Sequence, residues 1–180
     1  PGGKPFTLFE SAAILMYLSD KSGGRLIPKD PAARFKCIEW MMFQMGGVGP
    51  MFGQWNHFGA YAKDRIPYAI DRYFSEAKRL TRVLNHRLEE TQWLAGDEYS
   101  MADIITFPWL HTATEPSPRF DVRGYINLDE FSNVKRWFDA IAARPAVKRG
   151  LQVLAAARDQ KTITDAEREI YFGKTQFATR

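Results

Sequence analysis

The stretch WLAGDEYSMADI, residues 93–104, decides the fold class of this chain. Its first five residues have the composition of a turn, because glycine and aspartate favour turn conformations. Ser100 and Asp103 then match a capping box, in which a serine and an acidic residue three positions later satisfy backbone N–H groups at a helix start. The apolar pattern continues through Leu110, and Pro108 is expected to bend the helix. The stretch therefore predicts a turn followed by a capped helix.

A second helix start lies upstream. Asp30 and Pro31 form an N-cap followed by proline at the first helical position. The apolar residues that follow recur at steps of three and four, which predicts a helix that buries this face. These residues are Phe35, Ile38, Met42 and Met45.

The glycine-rich run Gly46–Pro50 is expected to end or break that helix. Residues 51–64 are aromatic without a helical period. They predict an irregular segment that covers a pocket.

Helical signals fill most of the remaining chain. Pro67 lies at the start of the longest predicted helix, whose apolar stripe comprises Ile70, Tyr73, Ala77, Leu80, Leu84 and Leu88. Asn133 is expected to cap a further helix, and Pro145 to start another. Residues 164–167 match a capping box for a last short helix.

The N-terminal residues differ in pattern. Phe6–Phe9 alternates like a short strand, and Glu10 and Ser11 precede a compact helical run that closes at Gly23 and Gly24. A four-residue strand is not stable alone, so its partners must come from another chain or from residues outside this sequence. The alternative is an extended lead into the helix.

Composition narrows the functional classes. The 180 residues include 25 basic and 21 acidic side chains, a net charge of +4 that is scattered and does not indicate nucleic-acid binding. Cys37 is the sole cysteine, which fits a reducing compartment, and we expect a buried apolar role for it and a cytoplasmic protein. No apolar run approaches the roughly 18 residues of a membrane span. His57, His86 and His111 lack metal-ligand spacing, so no metal cofactor is expected.

Four runs of sequence together resemble the glutathione transferase family. They are FESAAILMYLSDKSG (9–23), the helix that starts at Asp30-Pro31, WLAGDEYSMADI (93–104) and NVKRWFDAIAARPAVKRGL (133–151). QMGGVGPMFGQWNHF (44–58) and IPYAIDRYFSEAKRL (66–80) are similar to the bacterial Nu class, whose members reduce disulfides with glutathione. The resemblance covers residues 6 to about 155.

The resemblance implies a mostly α fold. Residues 1–27 are then the last strand and helix of a thioredoxin-like α/β domain, residues 28–160 an all-helical domain and residues 161–180 a tail. In the family, the residues that handle the glutathione thiol belong to the earlier part of the thioredoxin-like domain. No catalytic residue is therefore assigned within this chain.

The resemblance also implies a glutathione site. Ser11 is expected to bind the γ-glutamyl carboxylate at the positive end of a helix and Glu10 its ammonium group. Arg72 is expected to reach the ligand of the partner subunit in a homodimer, because a guanidinium forks onto a carboxylate. Gln44 is a further candidate, for the peptide part. The plainer alternatives are a helix cap, a solvated arginine and an unremarkable glutamine.

The second substrate, a small apolar electrophile or disulfide, is expected in an apolar pocket. Its candidate residues are Met51, Phe52, Trp55, His57, Phe58 and Trp109. Such side chains also suit a core, and both interpretations stay open at this point. The expected function is a glutathione-dependent transferase or disulfide-bond reductase. The alternative is a non-catalytic binding or assembly module of the same family.

Overall fold

A computed structural model describes residues 3–114, 124–153 and 164–177 of the chain. These residues form a mostly helical bundle with no β-sheet among them, which confirms the predicted mostly α fold. The α-helices are α1 (Ser11–Lys21), α2 (Pro31–Phe43), α3 (Gly49–Asn56), α4 (Pro67–Glu90), α5 (Met101–Ala113), α6 (Ser132–Ala142), α7 (Pro145–Gln152) and α8 (Asp165–Phe172). Two π-helical segments (Gln44–Val48 and His57–Tyr61) and two 3-10 turns (Leu128–Glu130 and Lys174–Phe177) complete the described elements. The predicted boundary at residue 160 falls outside the described residues.

The strand predicted at Phe6–Phe9 is not formed. Residues 4–9 lead into α1 without a helical or strand assignment, and Phe6 and Phe9 are 64% and 76% exposed. The run has no partner strand among the described residues, so its backbone has nothing to pair with. Among the described residues it is an extended lead into α1, and the strand pairing with residues outside this sequence stays a prediction.

The predicted break after α2 is also wrong. Helical backbone runs from Pro31 to Tyr61 through α2, the first π segment, α3 and the second π segment. Gly49 donates its N–H to the Gln44 carbonyl, the five-residue step of a π turn. Pro50 has no N–H to donate to an α-type bond, so the widened turn takes up the glycine-rich run instead of ending the helix.

The face of α2 that the sequence pattern selects is only partly buried, with Ile38 and Met45 packed against the core. Cys37 and Met41 are fully buried in the core, whereas Phe35 and Met42 are 69% and 49% exposed. Apolar residues occur on two sides of α2, and periodicity does not say which side meets the bundle. The expected burial of Cys37 is confirmed.

The long helix α4 and helix α6 cap each other. The Asn85 side-chain oxygen accepts the backbone N–H groups of Asn133 and Val134 at the start of α6, at 3.0 and 3.2 Å. In return, Arg136 donates to the Leu88 carbonyl near the end of α4, at 2.8 Å. The predicted cap by Asn133 is therefore wrong, because an amide from another helix occupies that role.

The predicted capping box at the start of α5 is confirmed, and its carboxylate has two further partners. Asp103 accepts the backbone N–H and the hydroxyl of Ser100, and also the Leu94 N–H and the Trp137 indole N–H. Burial raises the pKa of Asp103, and these four donors act against that rise. One buried carboxylate thus joins α5, α6 and the preceding turn.

Candidate functional site

The start of α1 is an uncapped helix end. Ser11 is the first helical residue, and the Glu10 side chain makes no capping hydrogen bond. Glu10 has φ 69°, a left-handed conformation that is costly for a residue other than glycine. The first-turn N–H groups of a helix have no partner within the helix and lie at its positive end. This end suits a carboxylate ligand, as the sequence predicts.

The fold brings the start of α1 against the first π segment. The Ser11 hydroxyl lies 3.7 Å from the Met45 sulfur. Gln44, which precedes Met45 in the sequence, is 3% exposed. Its Oε1 atom has no hydrogen-bond partner among the described residues. A Cβ added at Gly49 would lie 2.7 Å from Gln44 Nε2. The Gln44 side chain is therefore packed against Gly49 at the end of the first π segment.

Arg72 lies apart from this group within the chain. Its guanidinium is on the exposed side of α4, where Nη1 is 3.8 Å from Glu76 Oε2. The pKa of Glu76 is lowered chiefly by a hydrogen bond from Arg79, with a smaller effect from Arg72. The described residues include no hydrogen bond or ion pair from Arg72 to Glu10 or Ser11.

A second site is a cavity beside the second π segment. It has a volume of about 360 Å³ and lies between residues 57–66 and α8. Four aromatic side chains contribute to its walls, and the Phe172 ring lies 4.8 Å from the His57 ring and 5.7 Å from the Tyr61 ring, centroid to centroid. Phe58 lines the same cavity and stacks on Tyr73 at 5.6 Å.

His57 is a neutral wall of this cavity. Burial lowers the pKa of its imidazole, and the positive charge of Arg168 on α8 lowers it further. A lowered pKa keeps the ring uncharged at pH 7. His57 is then a hydrogen-bonding group and not a fixed charge.

The other predicted pocket residues do not line this cavity. Phe52 and Trp55 are buried in the core, where the Trp55 ring lies 5.0 Å from the Phe74 ring. Met51 and Trp109 are partly buried against the same core. For these four side chains the structure shows packing, the interpretation that the sequence left open.

Sequence reasoning missed the wall that α8 provides. The capping box predicts the helix, and the structure confirms it, with Thr164 and Glu167 bonded reciprocally. Arg168 and Phe172 are four residues apart and so share a face, which the capping pattern does not reveal. Tyr61 was missed because residues 51–64 do not show a helical period.

A larger cavity, of about 660 Å³, lies between residues 24–33 and the turn at residues 95–98. It contains none of the predicted site residues among its lining. The described part of the chain holds no group of three or more histidine, cysteine or acidic side chains placed to bind a metal ion. None of the described helices has both the length and the apolar character that crossing a membrane requires.

The described residues form a mostly helical bundle with an open helix start and a cavity lined in part by aromatic side chains, and comparison with known proteins identifies its family. Residues 62–145 match the family described as Glutathione S-transferase, C-terminal domain. The chain is 43% identical over 150 residues to the disulfide-bond oxidoreductase YfcG of Escherichia coli, covering 83% of this chain and 66% of YfcG. It is 31% identical over 169 residues to glutathione S-transferase 2 of Schizosaccharomyces pombe, covering 86% and 71%.

A solved structure agrees with these relatives. A glutathione transferase from Burkholderia graminis, with two glutathione molecules bound per subunit, is 48% identical with a TM-score of 0.71. The match covers 84% of this chain and 62% of that one. The chain belongs to the glutathione S-transferase family, and it spans about two thirds of the length of YfcG and of the Burkholderia enzyme.

Proposed function

We propose that this chain serves a glutathione-dependent transferase or disulfide-bond reductase that acts on small-molecule substrates. YfcG is named a disulfide-bond oxidoreductase, and the Burkholderia enzyme holds glutathione. Within this chain, the observation that supports the proposal best is the uncapped start of α1 with Glu10 in a left-handed conformation. Unfavourable backbone angles cluster at ligand sites, where the surrounding structure holds them.

In the proposed complex, the γ-glutamyl carboxylate of glutathione binds Ser11 and the first N–H groups of α1. Glu10 binds the ammonium group of the same moiety. Gln44, next to the Met45 that contacts Ser11, is the candidate to hydrogen-bond the peptide part of glutathione. A carboxylate at this position is stabilised by hydrogen bonds and by the helix dipole together.

The second substrate, an apolar electrophile or a disulfide, occupies the cavity between residues 57–66 and α8. In disulfide reduction, a glutathione thiolate attacks one sulfur of the disulfide and releases the other as a thiolate. A second glutathione thiolate then attacks the mixed disulfide, so that glutathione disulfide leaves and the substrate is fully reduced. The group that activates the thiol is not among the residues we assign here.

The proposal extends to assembly and setting. We place the protein in the cytoplasm as a homodimer without a metal cofactor, in which Arg72 reaches the glutathione of the partner subunit. The free side of the Arg72 guanidinium, which is 56% exposed, is compatible with such a contact. Residues 1–27 then belong to the glutathione-binding domain, residues 28–160 to the helical domain and residues 161–180 to the tail.

The Ser11 assignment is tested by calorimetry. Ser11→Ala should weaken glutathione binding by roughly 1–3 kcal/mol, because a hydrogen bond to a charged group is lost. Ser75→Ala, at an exposed position on α4, is the matched control and should bind as the unaltered protein does. Equal affinities for all three proteins would remove Ser11 from the site.

A further inference from the structure

The cavity between residues 57–66 and α8 contains an arginine that the proposed function does not use. Arg168 lines the cavity beside the rings of His57, Phe58, Tyr61 and Phe172. Its side chain is 26% exposed, and its Nη1 atom is buried without a hydrogen-bond partner among the described residues. A buried guanidinium N–H that lacks an acceptor costs free energy, and an anionic ligand atom would satisfy it.

The anions near Arg168 do not meet this need. Asp165 Oδ1 lies 4.0 Å from Nε and is fully exposed, so the pair is weak and leaves Nη1 free. The Glu169 carboxylate is folded back against Gly173. Lys63 and Asp64 are exposed at the rim and offset each other in charge. Arg168 is thus the partly buried cation of the cavity.

The aromatic rings of the cavity indicate the chemical character of the remaining part of the ligand. Phe58, Tyr61 and Phe172 present apolar surface, and a space of about 360 Å³ matches the lower range of small-molecule sites. The pKa of His57 is lowered, so its ring adds no second positive charge to the cavity. Apolar walls and one unpaired guanidinium N–H together favour an aromatic compound with a carboxylate or sulfonate group.

We infer that this cavity selects anionic aromatic substrates, and that Arg168 is the residue that discriminates by charge. The inference deepens the proposed function, because it assigns a substrate class to the pocket proposed for the second substrate. It assigns Arg168 to recognition only and no part in the thiol chemistry.

Two fluorescent probes with one skeleton test the inference. 8-Anilinonaphthalene-1-sulfonate has a sulfonate, and N-phenyl-1-naphthylamine is the same ring system without it. Arg168→Gln should weaken the sulfonate probe about tenfold, the usual worth of a charge-assisted hydrogen bond, and leave the neutral probe within about twofold. Arg82→Gln removes an exposed arginine from α4 and should change neither affinity.

Two further variants separate recognition from packing. Phe172→Ala removes an apolar wall and should weaken both probes alike. Arg168→Lys keeps the positive charge and should retain a preference for the sulfonate probe. Thermal unfolding of each variant checks that the bundle remains folded.

The results divide clearly. Equal weakening of both probes by Arg168→Gln would show a packing role and overturn the inference, as would unchanged affinities or a preference lost in Arg168→Lys. Neither probe contains glutathione, so such a failure leaves the Ser11 assignment standing. Conversely, if Ser11→Ala binds glutathione normally, the Ser11 assignment fails and the probe test of Arg168 is unaffected.

Discussion

Asp103 illustrates what a short pattern predicts about one residue and what it omits. The spacing of Ser100 and Asp103 predicts the helix cap, and the structure confirms it. The same carboxylate also accepts the Leu94 N–H at 2.9 Å and the Trp137 indole N–H at 2.8 Å. Trp137 is 34 residues away in sequence, so no local pattern connects it to the cap.

Replacing this carboxylate should cost much of the stability of the molecule. In Asp103→Ala, buried N–H groups of Leu94 and Trp137 lose their acceptor, and the cap of α5 is lost as well. We expect the free energy of unfolding to fall by about 3–5 kcal/mol, measured by urea denaturation. Asp139→Ala, on the exposed side of α6, should stay within about 0.5 kcal/mol. A loss at Asp103 no larger than at Asp139 would mean that these hydrogen bonds contribute little.

At the level of elements, the sequence predicts helices well and their joints poorly. The caps at Asp30, Ser100 and Thr164 are local and are all confirmed. The glycine-rich run at residues 46–50 contains the composition of a helix end, but the energetics of tertiary packing keep it helical as a π turn. The α6 cap was missed because its acceptor, Asn85, belongs to a different helix.

Two glycines, one within the first π segment and one directly after it, allow a matched comparison of alanine substitutions. A Cβ at Gly49 would meet Gln44 Nε2 at 2.7 Å, whereas a Cβ at Gly46 meets nothing within 4 Å. Gly49→Ala should therefore lower the unfolding free energy by about 1–3 kcal/mol and displace Gln44. Gly46→Ala should be neutral or stabilising by up to about 1 kcal/mol, because alanine favours helical backbone. Urea denaturation of both variants measures these changes. Similar losses of unfolding free energy in both would contradict the described packing.

The caps between α4 and α6 allow a similar comparison of asparagines. Asn85→Ala removes the acceptor for two N–H groups at the start of α6 and should cost about 1–2 kcal/mol of unfolding free energy. Asn133→Ala removes the residue that the sequence pattern favours as the cap, and it should change stability by less than about 0.5 kcal/mol. The reverse order of the two losses, in thermal or urea unfolding, would favour the sequence interpretation over the structure.

On the scale of the whole molecule, the resemblance predicts the family and the helical architecture, and the comparisons show the family. The physical pattern of the chain predicts helix after helix but not how the helices face one another. The position of α8 over His57 is an example, since contacts between residues 57 and 172 depend on the folded path between them. Of the predicted pocket residues, His57 and Phe58 line a cavity and Phe52 and Trp55 are buried in the core, and the substrate role of the pocket stays a prediction.

The exposed stripe of α2 bears on the proposed homodimer. Phe35 and Met42 are 69% and 49% exposed on a helix whose other side is core. Burial of apolar area stabilises an interface by about 25 cal/mol per Å², and a charge there would oppose association. We expect the double variant Phe35→Glu, Met42→Glu to shift the protein from dimer to monomer in sedimentation, with its helical circular dichroism unchanged.

Val153→Glu is the control for that shift. Val153 is 65% exposed just after α7 and does not belong to α2, and its replacement should leave the sedimentation coefficient unaltered. An unaltered protein that sediments as a monomer at micromolar concentration would contradict the dimer itself. A dimer that survives both charges would place its interface elsewhere.

The continuous helical stretch from residue 31 to residue 61 contains a shift in helical phase at its first π segment. A π turn holds one more residue than an α turn, so the first π segment rotates the side chains beyond it by about 100° around the helix axis. Because of this rotation, α2 packs against α5 and α3 packs against α4, with different sides of the same helical stretch. Removing a single glycine between residues 44 and 48 would cancel this phase shift without changing any charge or apolar side chain. Phe52 and Trp55 would rotate out of the core, and His57 and Phe58 would rotate away from the cavity. In this helical stretch the number of residues therefore matters as much as their chemistry.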